Sequence, residues 1–117
     1  MVGLMIGRIT APDEIRLLTI TTQDSRRLQL QFDHEPWVQE TYHEGTFSLL
    51  IYAKGEPQQG QLRQGDSLIN WRLRPLGHPV LDPQLVLGFV STRPLKGQWS
   101  GQDTEQGWQL SVQITPE

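Results

Sequence analysis

The sequence predicts an all-β domain, and three observations carry that prediction. Apolar residues recur at every second position, nearly every such run is closed by Gly, Pro, Asp or Asn, and helix signals are scarce. The expected strands are residues 2–10, 15–22, 27–32, 46–53, 67–74, 86–92 and 108–115. The first runs into a corner at Pro12-Asp13 and leaves it as the second, which ends near Thr22. In 27–32, Leu28, Leu30 and Phe32 share one face while Arg27, Gln29 and Gln31 share the other, the pattern of a half-buried strand. In 46–53 the same alternation sets Phe47, Leu49 and Ile51 toward a core and Thr46, Ser48, Leu50 and Tyr52 away from it. Trp71 and Trp108 alternate with apolar strand neighbours and are assigned to packing.

Three stretches are expected to be irregular. Residues 33–45 are polar except for three large side chains and form a long hairpin loop. Residues 55–60 carry Gly55, Pro57 and Gly60, a density that opposes a helix. Residues 76–83, preceded by Pro75, hold Pro79 and Pro83 in a third connection with His78 as a turn residue. None is a domain linker, because each is short and flanked by core-type strands.

The chain of 117 residues suits one domain, large enough to bury roughly two-thirds of its unfolded surface. Its net charge of -3 opposes a strongly basic nucleic-acid binder, since Lys and Arg neutralising phosphates supply most non-specific affinity. The charge is unevenly spread. Residues 1–44 carry four basic and seven acidic side chains, residues 45–100 six and three, so the middle of the chain is net positive and a local basic face is allowed. Cysteine is absent, which excludes disulfides and thiolate metal sites. Residues 1–6 are apolar but too short for the core of a signal peptide, and no run approaches membrane-spanning length. A soluble, cytoplasmic protein is expected.

Catalytic patterns are thin. Asp33-His34-Glu35 and His43-Glu44 hold histidines nine apart in an acidic loop, without the helical or turn spacings of metal ligands. No nucleophile elbow and no glycine-rich phosphate loop occurs. No enzyme, metal site or cofactor is expected.

In order and spacing, several segments resemble the bacterial single-stranded-DNA-binding protein family. They are the opening strand with Pro12-Asp13-Glu14-Ile15-Arg16, Trp37-Val38-Gln39-Glu40-Thr41, and the run from Thr46 to Lys54 that ends in an aromatic closely followed by lysine. Leu62-Arg63-Gln64-Gly65-Asp66-Ser67-Leu68-Ile69 is similar to the family's turn into its fourth strand, Leu73-Arg74 to the end of that strand, and Trp99 and Trp108 to its last aromatic hairpin. The resemblance implies a small five-stranded OB-fold-like barrel with an extra hairpin or loop insertion, formed as a single domain over residues 1–117. It also implies a homo-oligomer that binds single-stranded DNA, or RNA, without sequence readout, in replication, recombination or repair.

Such binding uses aromatic faces on which bases stack and cations that follow the phosphates. Alternation directs Tyr52 and Lys54 to the binding side. The resemblance adds Trp37 and Trp99 as stackers, with Arg72, Arg74, Arg93 and Lys96 as phosphate contacts. The competing expectation is a protein-interaction module that kept the barrel without nucleic-acid affinity, favoured by the negative net charge and the proline-rich insertion. A carbohydrate-binding version of the barrel is a third.

Overall fold

A computed structural model describes residues 15–116 apart from 25, 44, 45, 65 and 79. They form nine strands: β1 Leu17–Asp24, β2 Arg27–Phe32, β3 Val38–His43, β4 Thr46–Ile51, β5 Gln58–Gln64, β6 Ser67–Leu76, β7 Gln84–Val90, β8 Leu95–Thr104 and β9 Gly107–Pro116. One sheet has four strands in the order β1-β2-β9-β8, the other five in the order β3-β4-β7-β6-β5. Every neighbouring pair is antiparallel.

Alternation decides which face of each sheet is buried. Leu28, Leu30 and Phe32 on β2 and Trp108, Leu110, Val112 and Ile114 on β9 lie on the inner face of the four-stranded sheet. Phe47, Leu49 and Ile51 on β4, Ile69, Trp71 and Leu73 on β6, and Leu85, Leu87 and Phe89 on β7 do the same for the five-stranded sheet. These side chains form one hydrophobic cluster, and no polar side chain is buried among the described residues. Apolar burial therefore meets no opposing cost from desolvated polar groups.

Edge-strand glycines complete the packing. A Cβ on Gly60 of β5 would stand 2.7 Å from the Trp71 ring. On β8, Gly97 lies against the Phe47 ring and Gly101 against Trp108, so closely that a side chain at either would overlap it. Each ring covers a glycine that would otherwise weaken its strand. The β8–β9 hairpin turns at Gly107, whose φ of +142° favours glycine and which approaches the Phe32 and Asp33 carbonyls.

Besides the shared core, hydrogen bonds tie the sheets together at two places among the described residues. Arg16 pairs with Lys54 in a parallel bridge, with Leu17 N–H donating to Lys54 O and Lys54 N–H to Ile15 O, each at 2.8 Å. Farther along, the Tyr42 hydroxyl accepts from Gly97 N–H at 2.8 Å and donates to Gly97 O at 3.3 Å. Its ring packs on Phe47 with centroids 5.2 Å apart. Tyr42→Phe is expected to lower stability by about 0.5–1.5 kcal/mol and to loosen β3 first, which amide exchange on β3 relative to β7 would detect.

All-β architecture is thus formed, but the five-stranded barrel implied by the resemblance is not. Residues 38–43, 58–64 and 95–104 are additional strands, so the expected loop at 33–45 contains β3 and the irregular stretch at 55–60 runs into β5. Each layer is wide enough to hide its apolar face against the other without curling shut. Among the described residues the two sheets stay open. The expected strand at 2–10 and the Pro12-Asp13 corner lie outside the described residues. The connection after β6 is a turn as expected: His78 Nδ1 accepts from Val80 N–H at 3.1 Å and Leu81 N–H at 3.0 Å. Among the described residues no helix is long and apolar enough to cross a membrane.

Candidate nucleic-acid interface

The inner row of the five-stranded sheet fixes what its outer row must be. On β4, β7 and β6 the outward positions are Thr46, Ser48 and Leu50, then Val86, Gly88 and Val90, then Asn70, Arg72 and Arg74. Register aligns them across the sheet. Ser48 pairs with Gly88, Gly88 with Arg72 and Arg72 with Gln59, while Leu50 pairs with Val86 and Val86 with Arg74.

Beyond Leu50 the face continues with two aromatic residues. Tyr52 lies between buried Ile51 and Ala53, and Trp37 between buried Pro36 and half-buried Val38, so both turn outward. Tyr52 N–H donates to Trp37 O at 2.9 Å, which sets the two residues side by side. Trp37 is 72% exposed, a large apolar area left in water without a packing role.

An open trough of about 900 Å³ crosses this face, with Thr46, Ser48, Gln59, Arg72 and Arg74 along it and Gly88 in its floor. None of the described strand residues that point outward from this sheet is acidic. Among the described residues, neither the Arg72 nor the Arg74 guanidinium has a hydrogen bond or an ion pair. Two like charges on alternate residues, about 7 Å apart, repel by about 0.6 kcal/mol in water. An anion between them would turn that repulsion into attraction.

The outer face of the four-stranded sheet carries a ladder of amides. Gln102 Nε2 donates to Gln109 Oε1 and Gln109 Nε2 to Gln29 Oε1, both at 3.3 Å, and Gln31 Nε2 donates to Thr104 Oγ1 at 2.9 Å. In the trough Gln61 Nε2 likewise donates to Asn70 Oδ1 at 3.0 Å, so what sets that face apart is its pair of guanidinium groups.

Of the residues singled out in the sequence, Trp37, Tyr52, Arg72 and Arg74 share one face. The others are dispersed. Lys54 stands at the corner between the sheets, half-buried beside a second cavity of about 510 Å³ that Leu17, Pro57, Leu76 and Leu85 also line. Arg93 lies in the turn after β7, and Lys96 pairs with Thr115 on the outer side of the four-stranded sheet. Trp99 faces inward opposite Val112 and packs against the core. The trough also uses Ser48, Gln59 and Gly88, which the sequence does not mark. Only Gly88 leaves a trace, as a glycine inside the regular alternation of Leu85 to Val90.

Asp33 Oδ1 and His34 Nδ1 are 3.2 Å apart at the surface, and no group of three or more metal-ligating side chains is gathered among the described residues. No protein-family model, no curated protein and no solved structure matches the chain.

Proposed function

We propose that the outer face of the five-stranded sheet binds single-stranded nucleic acid without sequence readout, serving replication, recombination or repair by keeping a strand unpaired. One observation carries the reading: among the described residues, Arg72 and Arg74 without an ion pair and the aromatic pair Trp37 and Tyr52 project from a sheet face whose outward strand residues include no acid, in a protein whose net charge is -3. The rings offer sequence-tolerant stacking, and the guanidinium groups attract phosphates. DNA and RNA share this chemistry. Support comes from the face itself, since the barrel implied by the resemblance is not formed.

Titrating labelled oligo-dT at several salt concentrations tests the proposal. Affinity is expected to fall as salt rises, and replacing Arg72 and Arg74 by Gln is expected to reduce the slope of log affinity against log salt by about 1 for each phosphate that is no longer neutralised. A slope unchanged by both substitutions would remove these arginines from the interface. Self-association belongs to the same proposal, because β5 is an edge of this sheet among the described residues, where backbone groups can pair with a second copy.

A second reading, a protein-interaction module, is favoured by a separate observation. Leu76, Val80 and Leu81 are exposed together around the proline-rich turn after β6, and apolar side chains held on a short turn suit a protein partner.

A further inference from the structure

Among the described residues, nothing in the fold around Gly88 calls for glycine. Its φ is not positive, and the ladder runs through it without a bulge on either side, to Ser48 and to Arg72. Nor does it make room for a neighbour. Gly60, Gly97 and Gly101 each yield to an aromatic ring, but a Cβ on Gly88 would come within 4 Å of one atom only, Ser48 Oγ at 4.0 Å. A glycine within a strand forfeits backbone entropy and β-propensity. Among the described residues that cost meets no structural return, and a glycine within a strand also serves close approach by another molecule.

Its surroundings say what approaches. Along β7 the outward side chains on either side are Val86 and Val90, so Gly88 is a notch in the ridge of that strand. Ser48 on β4 and Arg72 on β6 flank the notch, with α-carbons two strand spacings apart, about 10 Å. Hydroxyls of Thr46 and Ser48 stand on one side and guanidinium groups of Arg72 and Arg74 on the other. A sugar-phosphate backbone laid across the notch passes from the hydroxyls to the guanidinium groups, which are its anion partners. Trp37 and Tyr52 lie four residues away along the strand direction, about 13 Å.

We infer that Gly88 is where a bound single strand crosses the sheet, its sugar-phosphate backbone seated in the notch between Val86 and Val90, its phosphates on Arg72 and Arg74, and a base farther along the strand on Trp37. The inference rests on the proposed function and adds to it the path of the strand and the residue that admits it. At a duplex-like rise of about 3.4 Å per nucleotide, about four nucleotides join the notch to the aromatic pair.

The test uses the full chain, a fluorescein-labelled oligo-dT of about ten nucleotides, and a substitution series at Gly88. Gly88→Thr fills the notch with a β-favouring side chain in open space. It is expected to leave Tm unchanged or a few degrees higher while weakening binding by about tenfold or more, with Gly88→Ala in between. Wild-type affinity in Gly88→Thr, alongside weakened binding in Trp37→Ala, would overturn the crossing point and leave the nucleic-acid face standing. A lowered Tm in Gly88→Thr would make Gly88 a structural residue and also overturn the inference. Failure of the unsubstituted protein to bind the oligonucleotide would remove the proposed function itself, and the crossing with it.

Discussion

Trp108→Ala is expected to lower the free energy of unfolding by about 3–5 kcal/mol, the range for deleting a buried aromatic side chain. Set against a total of about 5–15 kcal/mol for a domain, the loss brings the chain close to unfolding at physiological temperature. Trp108 is 6% exposed, its ring centroid is 6.3 Å from that of Phe32, and Gly101 of β8 lies directly against it. Truncation therefore uncovers the β8 glycine as well as opening a cavity. Equilibrium urea denaturation measures the loss as a lower midpoint with a similar slope.

Gly101→Ala attacks the same packing from the other side. Its methyl would overlap the ring, and overpacking of this kind costs about 1–3 kcal/mol. Combined with Trp108→Ala, the added methyl enters the cavity, so the double variant is expected to lose less than the sum of the two. Strict additivity would mean that ring and glycine do not share one space.

The second large effect concerns binding. Replacing Trp37 and Tyr52 together by Ala is expected to weaken association with oligo-dT by about 2–6 kcal/mol, from about 1–3 kcal/mol for each base that loses its stacking surface. Trp37→Ala alone is expected to leave the urea midpoint nearly unchanged, because most of the ring is in water. Fluorescence anisotropy of a labelled oligonucleotide reads the affinity without relying on the protein's own tryptophans. Unaltered affinity in the double variant would move the interface off this face.

How much of the fold is legible in the sequence depends on where each strand sits. Interior strands β2, β4, β6, β7 and β9 are legible, because a neighbour on each side buries every second residue and selection for apolar side chains follows. The strands that the periodicity misses are all edges. On β3 the inward register places Glu40 opposite Leu49, a charge that an exposed rim tolerates but that breaks the alternation. On β5 only Leu62 is a buried apolar residue, and on β8 the inward positions after Leu95 include Gly97 and Gly101. A glycine beneath a ring is silent in a periodicity count. With those stretches read as loops and a hairpin, the rims of both sheets go unseen, and the five-stranded barrel is what the resemblance alone implies.

The site is legible to the same depth. Alternation within β4 turns Tyr52 outward, and Arg72 and Arg74 share a face of β6 by parity alone. Their convergence depends on register between strands far apart in the chain, which no local pattern encodes. Trp99 shows the limit from the other direction. Its inward parity becomes visible only once β8 is known to be a strand, and it then joins Leu95 against the core rather than the outer face of the five-stranded sheet.

The interlock of rings with rim glycines has a spectroscopic consequence. Trp71 and Trp108 are each covered by an outermost strand, β5 and β8 respectively. Peeling of either strand hydrates its indole while the interior ladder is still intact, so red-shifted emission is expected to precede loss of the far-ultraviolet β signal. Single-tryptophan variants that retain one of these indoles would thus report, strand by strand, which rim of the molecule gives way first.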